Sequence, residues 1–133
     1  MDKQILEESL ASVGLPDDGL TVRFYEILFE RYPDVEPMFQ RDNKVQAAML
    51  RTAIVSVIDN LDDGEWLTTN LESLGQRHAA MGVTAPMYEA VGECMIAAMT
   101  EIGGDAWTPA MTREWGEALS AVSALMLAGY PHT

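Results

Sequence analysis

A single cysteine, Cys94, stands in a chain of 133 residues, so no intrachain disulfide can form and no Cys-rich metal site can be assembled. Lysine is almost as scarce, with Lys3 and Lys44 the only two. Eight Lys and Arg face twenty-one Asp and Glu, and the resulting net charge of −13 repels phosphate backbones and anionic headgroups. Nucleic acid and membrane surfaces are therefore excluded as expected partners. A lysine-poor acidic surface is also one response to a salty cytoplasm. No apolar run reaches membrane-spanning length, the most apolar stretch being Ser120 to Tyr130. The first residues, MDKQILEESLASVG, interleave charge with apolar side chains where a secretory signal would show an unbroken apolar run. The expectation is a soluble cytoplasmic protein. Sustained period-2 alternation is missing, as are a phosphate loop, a GxSxG elbow, an HExxH zinc motif and any Cys/His/Asp cluster suited to hydrolysis.

What remains is a composition of packed globular type, 48% hydrophobic and 22% charged, at a length that suits one domain spanning 1–133. Ala, Leu, Met and Glu fill the segments between Gly and Pro, which predicts an all-α fold of six to eight helices. Ile5 to Val13 carries Leu6, Leu10 and Val13 at helical spacing and stops at Gly14-Leu15-Pro16. Leu20, Phe24, Ile27 and Leu28 line a second helix that Pro33 closes, followed by an irregular corner containing Pro37 and Phe39. Val45 to Leu61 has a broad apolar stripe of Val45, Met49, Leu50, Ala53, Ile54, Val57, Ile58 and Leu61. Glu65 to Ala80 repeats Leu67, Leu71, Leu74 and His78 before Gly82. Tyr88, Val91, Met95, Met99 and Ile102 form the stripe of a helix begun near Thr84 and Pro86. Thr108-Pro109 starts a last helix that buries Trp115, Leu119, Val122 and Met126.

Three residues disturb these apolar faces. His78 is the one interior histidine, His132 lying in the tail, and it shares a face with Leu71 and Leu74. It reads either as a core histidine with a satisfied ring N–H or as a metal ligand. One imidazole cannot hold zinc alone, whereas haem needs a single protein ligand because the porphyrin supplies four nitrogens. Gln46 shares a face with Leu50, Ala53 and Val57, as a boundary residue reaching solvent or as an inward amide. Tyr25 places a phenol within an apolar helix, where a buried hydroxyl requires a partner. Cys94 reads as a small buried hydrophobe, and the nine methionines as adaptable core filler. The paired carboxylates Asp17-Asp18 and Asp62-Asp63 read as caps and solvation.

In their order and spacing these residues resemble the globin family, most closely bacterial single-domain globins and the haem domain of flavohaemoglobins. The C-terminal half is also similar to neuroglobin. FYEILFERYPDVEPMF resembles the family's second helix and following corner, which implies Tyr25 over the distal face and Phe39, fourteen residues on, stacked on haem. QAAMLRTAIVSVIDNL resembles the distal helix, with Gln46 and Leu50 in the ligand pocket. LGQRHAAMGV resembles the proximal helix, with His78 as axial iron ligand and Leu74, Arg77 and Val83 around the haem. MYEAVGECMIAAMTEIGGDAWTPAMTREWGEAL is the most specific stretch and adds Tyr88 and Val91 to the haem pocket, with Met126 beyond it.

The resemblance implies haem b as cofactor, an open sixth position, and O2, CO and NO as ligands. Tyr25 and Gln46 would donate hydrogen bonds to O2, giving high affinity and slow release in a carrier, store or scavenger. The alternatives it implies are nitric oxide dioxygenation with a separate reductase, since the length leaves no room for a flavin domain, and haem-based sensing. Lys44, Arg51 and Arg77 are candidates to pair with haem propionates. In flavohaemoglobins a tyrosine and a glutamate contact the region of the proximal histidine. Tyr88 matches the tyrosine, while the glutamate position falls at Tyr130, a departure that argues against peroxidase-like or fast dioxygenase chemistry.

Overall fold

Gly and Pro cut the chain where the periodicity breaks, and the helices lie between those cuts. The computed structural model describes residues 2–14, 18–39 and 42–131. Helix α1 (Lys3–Ser12) starts earlier than the apolar pattern suggested, because the Asp2 carboxylate accepts from the N–H groups of Gln4 and Ile5. Helix α2 (Gly19–Arg31) ends before Pro33, and Pro33–Met38 forms a 3-10 helix where an irregular corner was expected. Helix α3 (Asn43–Asp59) is capped by Asp42, and α4 (Gly64–Ala80) by Asp63, whose side chain accepts from the Trp66 N–H at 3.0 Å. Helix α5 (Ala85–Gly103) has Pro86 in its first turn, and a 3-10 turn (Gly104–Ala106) leads to α6 (Pro109–Ala128), capped by Thr108. Among the described residues there is no strand, and no helix is long and apolar enough to cross a membrane.

The core is shared by five of the six helices. Leu6 of α1, Leu20, Phe24 and Leu28 of α2, Ala47 and Ile58 of α3, Cys94, Met95, Ala98 and Met99 of α5, and Trp115 and Ala118 of α6 form it. Each large apolar side chain there stabilises the fold by about 1.5–3 kcal/mol. Where α1 crosses α6, the Trp115 Nε1–H donates to Ser9 Oγ at 2.6 Å, and Ser9 donates to the Leu6 carbonyl. That chain satisfies the polar atoms buried at the crossing.

Two apolar stripes are narrower than the sequence suggested. Val45 and Met49 are 47% and 49% exposed and Ala53 is exposed too, while Ala47, outside the expected stripe, is fully buried. Helix α2 packs closely on α3, so the small side chain takes the contact and the Val45 and Met49 edge turns outward. On α5, Ile102 is 38% exposed, and Cys94 and Ala98 lie inside instead. Val91, Leu119 and Val122 are half-buried.

Helix α4 contributes nothing to the shared core. Its broad contact is with α6, and it has none with α3. The α4–α6 crossing is held at backbone distance by two glycines: a Cβ on Gly75 would overlap the Met126 carbonyl, and one on Gly129 would overlap the Glu72 carbonyl. The helix that carries His78 is thus pinned along one side and separated from the rest of the interior.

Candidate functional site

Two clusters of the sequence-selected residues are brought together. On one side, α2 presents Tyr25 one turn before Phe29, and the Pro33–Met38 segment swings Phe39 back over both. Tyr25 lies 5.8 Å from Phe29 and 5.3 Å from Phe39, ring centre to ring centre, with Phe24 4.9 Å away. Such edge and tilted contacts fix the ring planes. The Tyr25 side chain is 6% exposed, yet its hydroxyl has no hydrogen bond among the described residues. Burial alone pushes its pKa up to about 12, so it is a protonated, unpaired donor at neutral pH.

On the other side, His78 is half-buried near the C-terminal end of α4. Its Nδ1 lies 3.5 Å from the Tyr88 hydroxyl, which lies 2.9 Å from that of Tyr130, and Tyr130 donates to the Val83 carbonyl at 2.8 Å. Nε2 of His78 has no partner among the described residues. Burial and the neighbouring Arg77 cation hold the imidazole pKa below its ordinary value, which favours the neutral ring that binds metal.

Gln46 is half-buried on α3 with no side-chain hydrogen bond among the described residues, and Leu50, one turn on, packs against the core. Leu74 and Val83 are half-buried outside the core, whereas Val91 packs on it. Met126 is buried at the α4–α6 crossing, its backbone against Gly75. Of the three basic candidates, Arg51 is paired with Asp18 at 2.9 Å, and Lys44 and Arg77 are exposed. Phe29 stands one turn from Tyr25 in the sequence, and Gly75 and Gly129 carry no sequence signal of a site. Tyr130 enters the sequence reading only through the acid it replaces. The tertiary contacts of these four residues link segments far apart in the chain, except for the one-turn spacing of Tyr25 and Phe29.

The donor set suits a planar apolar group bearing one metal. It offers a neutral imidazole with a bare nitrogen and a buried phenol lacking a partner. Half-buried apolar residues Val57, Leu74 and Val83 are packed on no core. The two helices bearing Gln46 and His78 have no broad contact with each other. These features fit haem. Among the described residues no group of three His, Cys, Asp or Glu side chains is arranged to hold an ion by itself.

An all-α fold with one histidine on a helix set apart from the core defines the class of helical cofactor-binding proteins. The chain belongs to the globin family, which it matches over residues 22–126, and haem b is the cofactor of that family. It is 24% identical to a flavohaemoprotein of Bacillus subtilis over 90% of this chain and 31% of the relative. It is 30% identical to one of Rhodopirellula baltica over 86% and 29%. The chain thus spans about three-tenths of the length of these curated relatives. Among solved structures it is similar to an engineered carbene transferase from Rhodothermus marinus, whose description names it a candidate nitric oxide dioxygenase. That similarity has a TM-score of 0.83 and 25% identity, and covers 95% of this chain and 88% of the other. A bacterial globin from Campylobacter jejuni shares the fold at a TM-score of 0.79 and 23% identity, with 95% and 91% covered.

Proposed function

We propose that this globin binds O2 reversibly, holds it tightly and releases it slowly, as a carrier, store or scavenger. When bound, haem b would supply an iron able to hold O2. His78 would hold that iron through Nε2, and Phe39, Leu74, Arg77, Val83, Tyr88, Val91 and Met126 would line the haem pocket. Tyr25 and Gln46 donate hydrogen bonds to the ligand, and Leu50 closes the pocket beside them. Gln46 has no imidazole with which to bind the iron, and so would leave it accessible to O2, CO and NO.

The observation that carries this reading is Tyr25 itself, a 6% exposed residue whose hydroxyl has no partner among the described residues and is left available to a ligand. A donor in a largely apolar setting gains most from a ligand that supplies the acceptor. Charged acceptors strengthen such a bond, and its loss costs about 1.5–3 kcal/mol, or roughly 10- to 150-fold in dissociation rate. Tyr25→Phe and Gln46→Leu should therefore keep haem, with O2 release accelerated by that factor in the more important of the two. Stopped-flow displacement of O2 by CO measures it, and unchanged release in both variants contradicts the assignment.

The flavohaemoprotein relatives and the Rhodothermus marinus structure favour a second reading, nitric oxide dioxygenation with a separate reductase. Repeated NO consumption in the presence of a cellular reductase would support it. A single stoichiometric round would favour O2 binding.

A further inference from the structure

Around His78 the hydrogen bonds close into a ring. The Val83 N–H donates to the His78 carbonyl at 3.0 Å, across a turn that Gly82 makes with φ +86°. The Val83 carbonyl, which can only accept, takes the Tyr130 proton at 2.8 Å. Having given that proton away, the Tyr130 oxygen is the acceptor in its 2.9 Å contact with Tyr88, so Tyr88 is the donor. The Tyr88 oxygen is then left only as an acceptor towards His78 Nδ1, 3.5 Å away at the outer edge of hydrogen-bonding distance. Each proton has one direction that satisfies the whole ring, and it places hydrogen on Nδ1 and leaves the Nε2 lone pair bare.

We infer that Tyr130 is a positioning residue for His78, selecting through Tyr88 which ring nitrogen carries the proton and fixing the plane of the imidazole. The ring begins at the end of α6, where Gly129 lets the backbone settle onto the Glu72 carbonyl and so delivers Tyr130 over the exit of α4. Backbone and side chain of His78 are held by the same turn, one through the Val83 N–H and the other through the Val83 carbonyl. All members of the ring are neutral. The imidazole is therefore oriented without being pulled towards imidazolate, as a carboxylate acceptor would pull it.

This inference rests on His78 being the iron ligand, and one experiment separates the two. Resonance Raman spectra of the ferrous holoprotein without external ligand report the iron–histidine stretch, whose frequency follows the strength of the Nδ1–H bond. Tyr130→Phe breaks the ring two groups away from His78. It should shift the band downwards, in the same direction as Tyr88→Phe, and the double variant should shift no further than Tyr88→Phe alone. Tyr32→Phe, whose hydroxyl bonds Glu93 elsewhere, is the control and should leave the band in place. A band unmoved by Tyr130→Phe overturns the inference and leaves His78 ligation intact. Additive shifts overturn it too, because independent effects would exclude a single relay. Loss of haem from Tyr130→Phe but not from Tyr88→Phe also overturns it, since Tyr130 would then act only as an anchor for Val83. A wild-type ferrous protein that is five-coordinate yet shows no iron–histidine band overturns the ligation and the relay together.

Discussion

Tyr25 illustrates what a single side chain carries in this molecule. Its ring is buried among three phenylalanines, and that burial raises its pKa to about 12 from an ordinary value near 10. In the unfolded chain the phenol ionises first, so folding binds the proton more tightly. The associated stability is complete below pH 10 and falls as pH rises through 12. By pH 11 the loss attributable to Tyr25 is about 1.4 kcal/mol. Urea unfolding at pH 9 and pH 11 should show the wild type losing that much more than Tyr25→Phe, and equal losses would contradict the burial. Tyr25, Gln46 and His78 could be selected from sequence because each is a polar group on an apolar helical face. Tyr130 offered no such signal. It follows the last helix, and only the tertiary path from α6 to the turn after α4 gives its hydroxyl two partners.

At the scale of helices, the most consequential contact is α4 against α6. Gly75 meets the Met126 backbone, and no rotamer can relieve the overlap that an added methyl would create there. Gly75→Ala should force α4 away from α6, destabilising the protein by about 1–3 kcal/mol or more and loosening its hold on haem. Thermal unfolding and the rate of haem transfer to an apo-acceptor measure these effects. A variant matching the wild type in both would show that the crossing is not tight. Helix limits were largely legible, since Pro33, Gly82, Gly103 and Thr108-Pro109 act on the local backbone. Core faces were less so. On α3 a stripe of seven apolar residues covers too much of the circumference to identify its inward edge. Ala47, buried because α2 comes close, is unremarkable by hydrophobicity. The lack of broad contact between α3 and α4 cannot be read from either helix alone; the resemblance of the whole pattern to globins supplies that expectation.

Across the whole molecule, charge works against compactness. Five ion pairs among the described residues, all partly exposed, accompany a net charge of −13. Exposed pairs contribute about 0–1 kcal/mol each, so mutual repulsion of the carboxylates dominates the response to salt. Raising NaCl from about 0.01 to 0.1 M shortens the screening length from about 30 to 10 Å. The melting temperature should rise across that range, and a fall would mean that the ion pairs outweigh the repulsion.

The proposal as a whole depends on one ligand to the iron and one position left open. The most direct measurement is the absorption spectrum of the dithionite-reduced, haem-loaded protein, before and after CO, for the wild type and His78→Gly. Expected are one haem per chain and a five-coordinate ferrous spectrum in the wild type, with a Soret band that moves sharply on CO binding, together with weak haem retention by the variant. A six-coordinate spectrum before CO, or haem held equally well without His78, would contradict it.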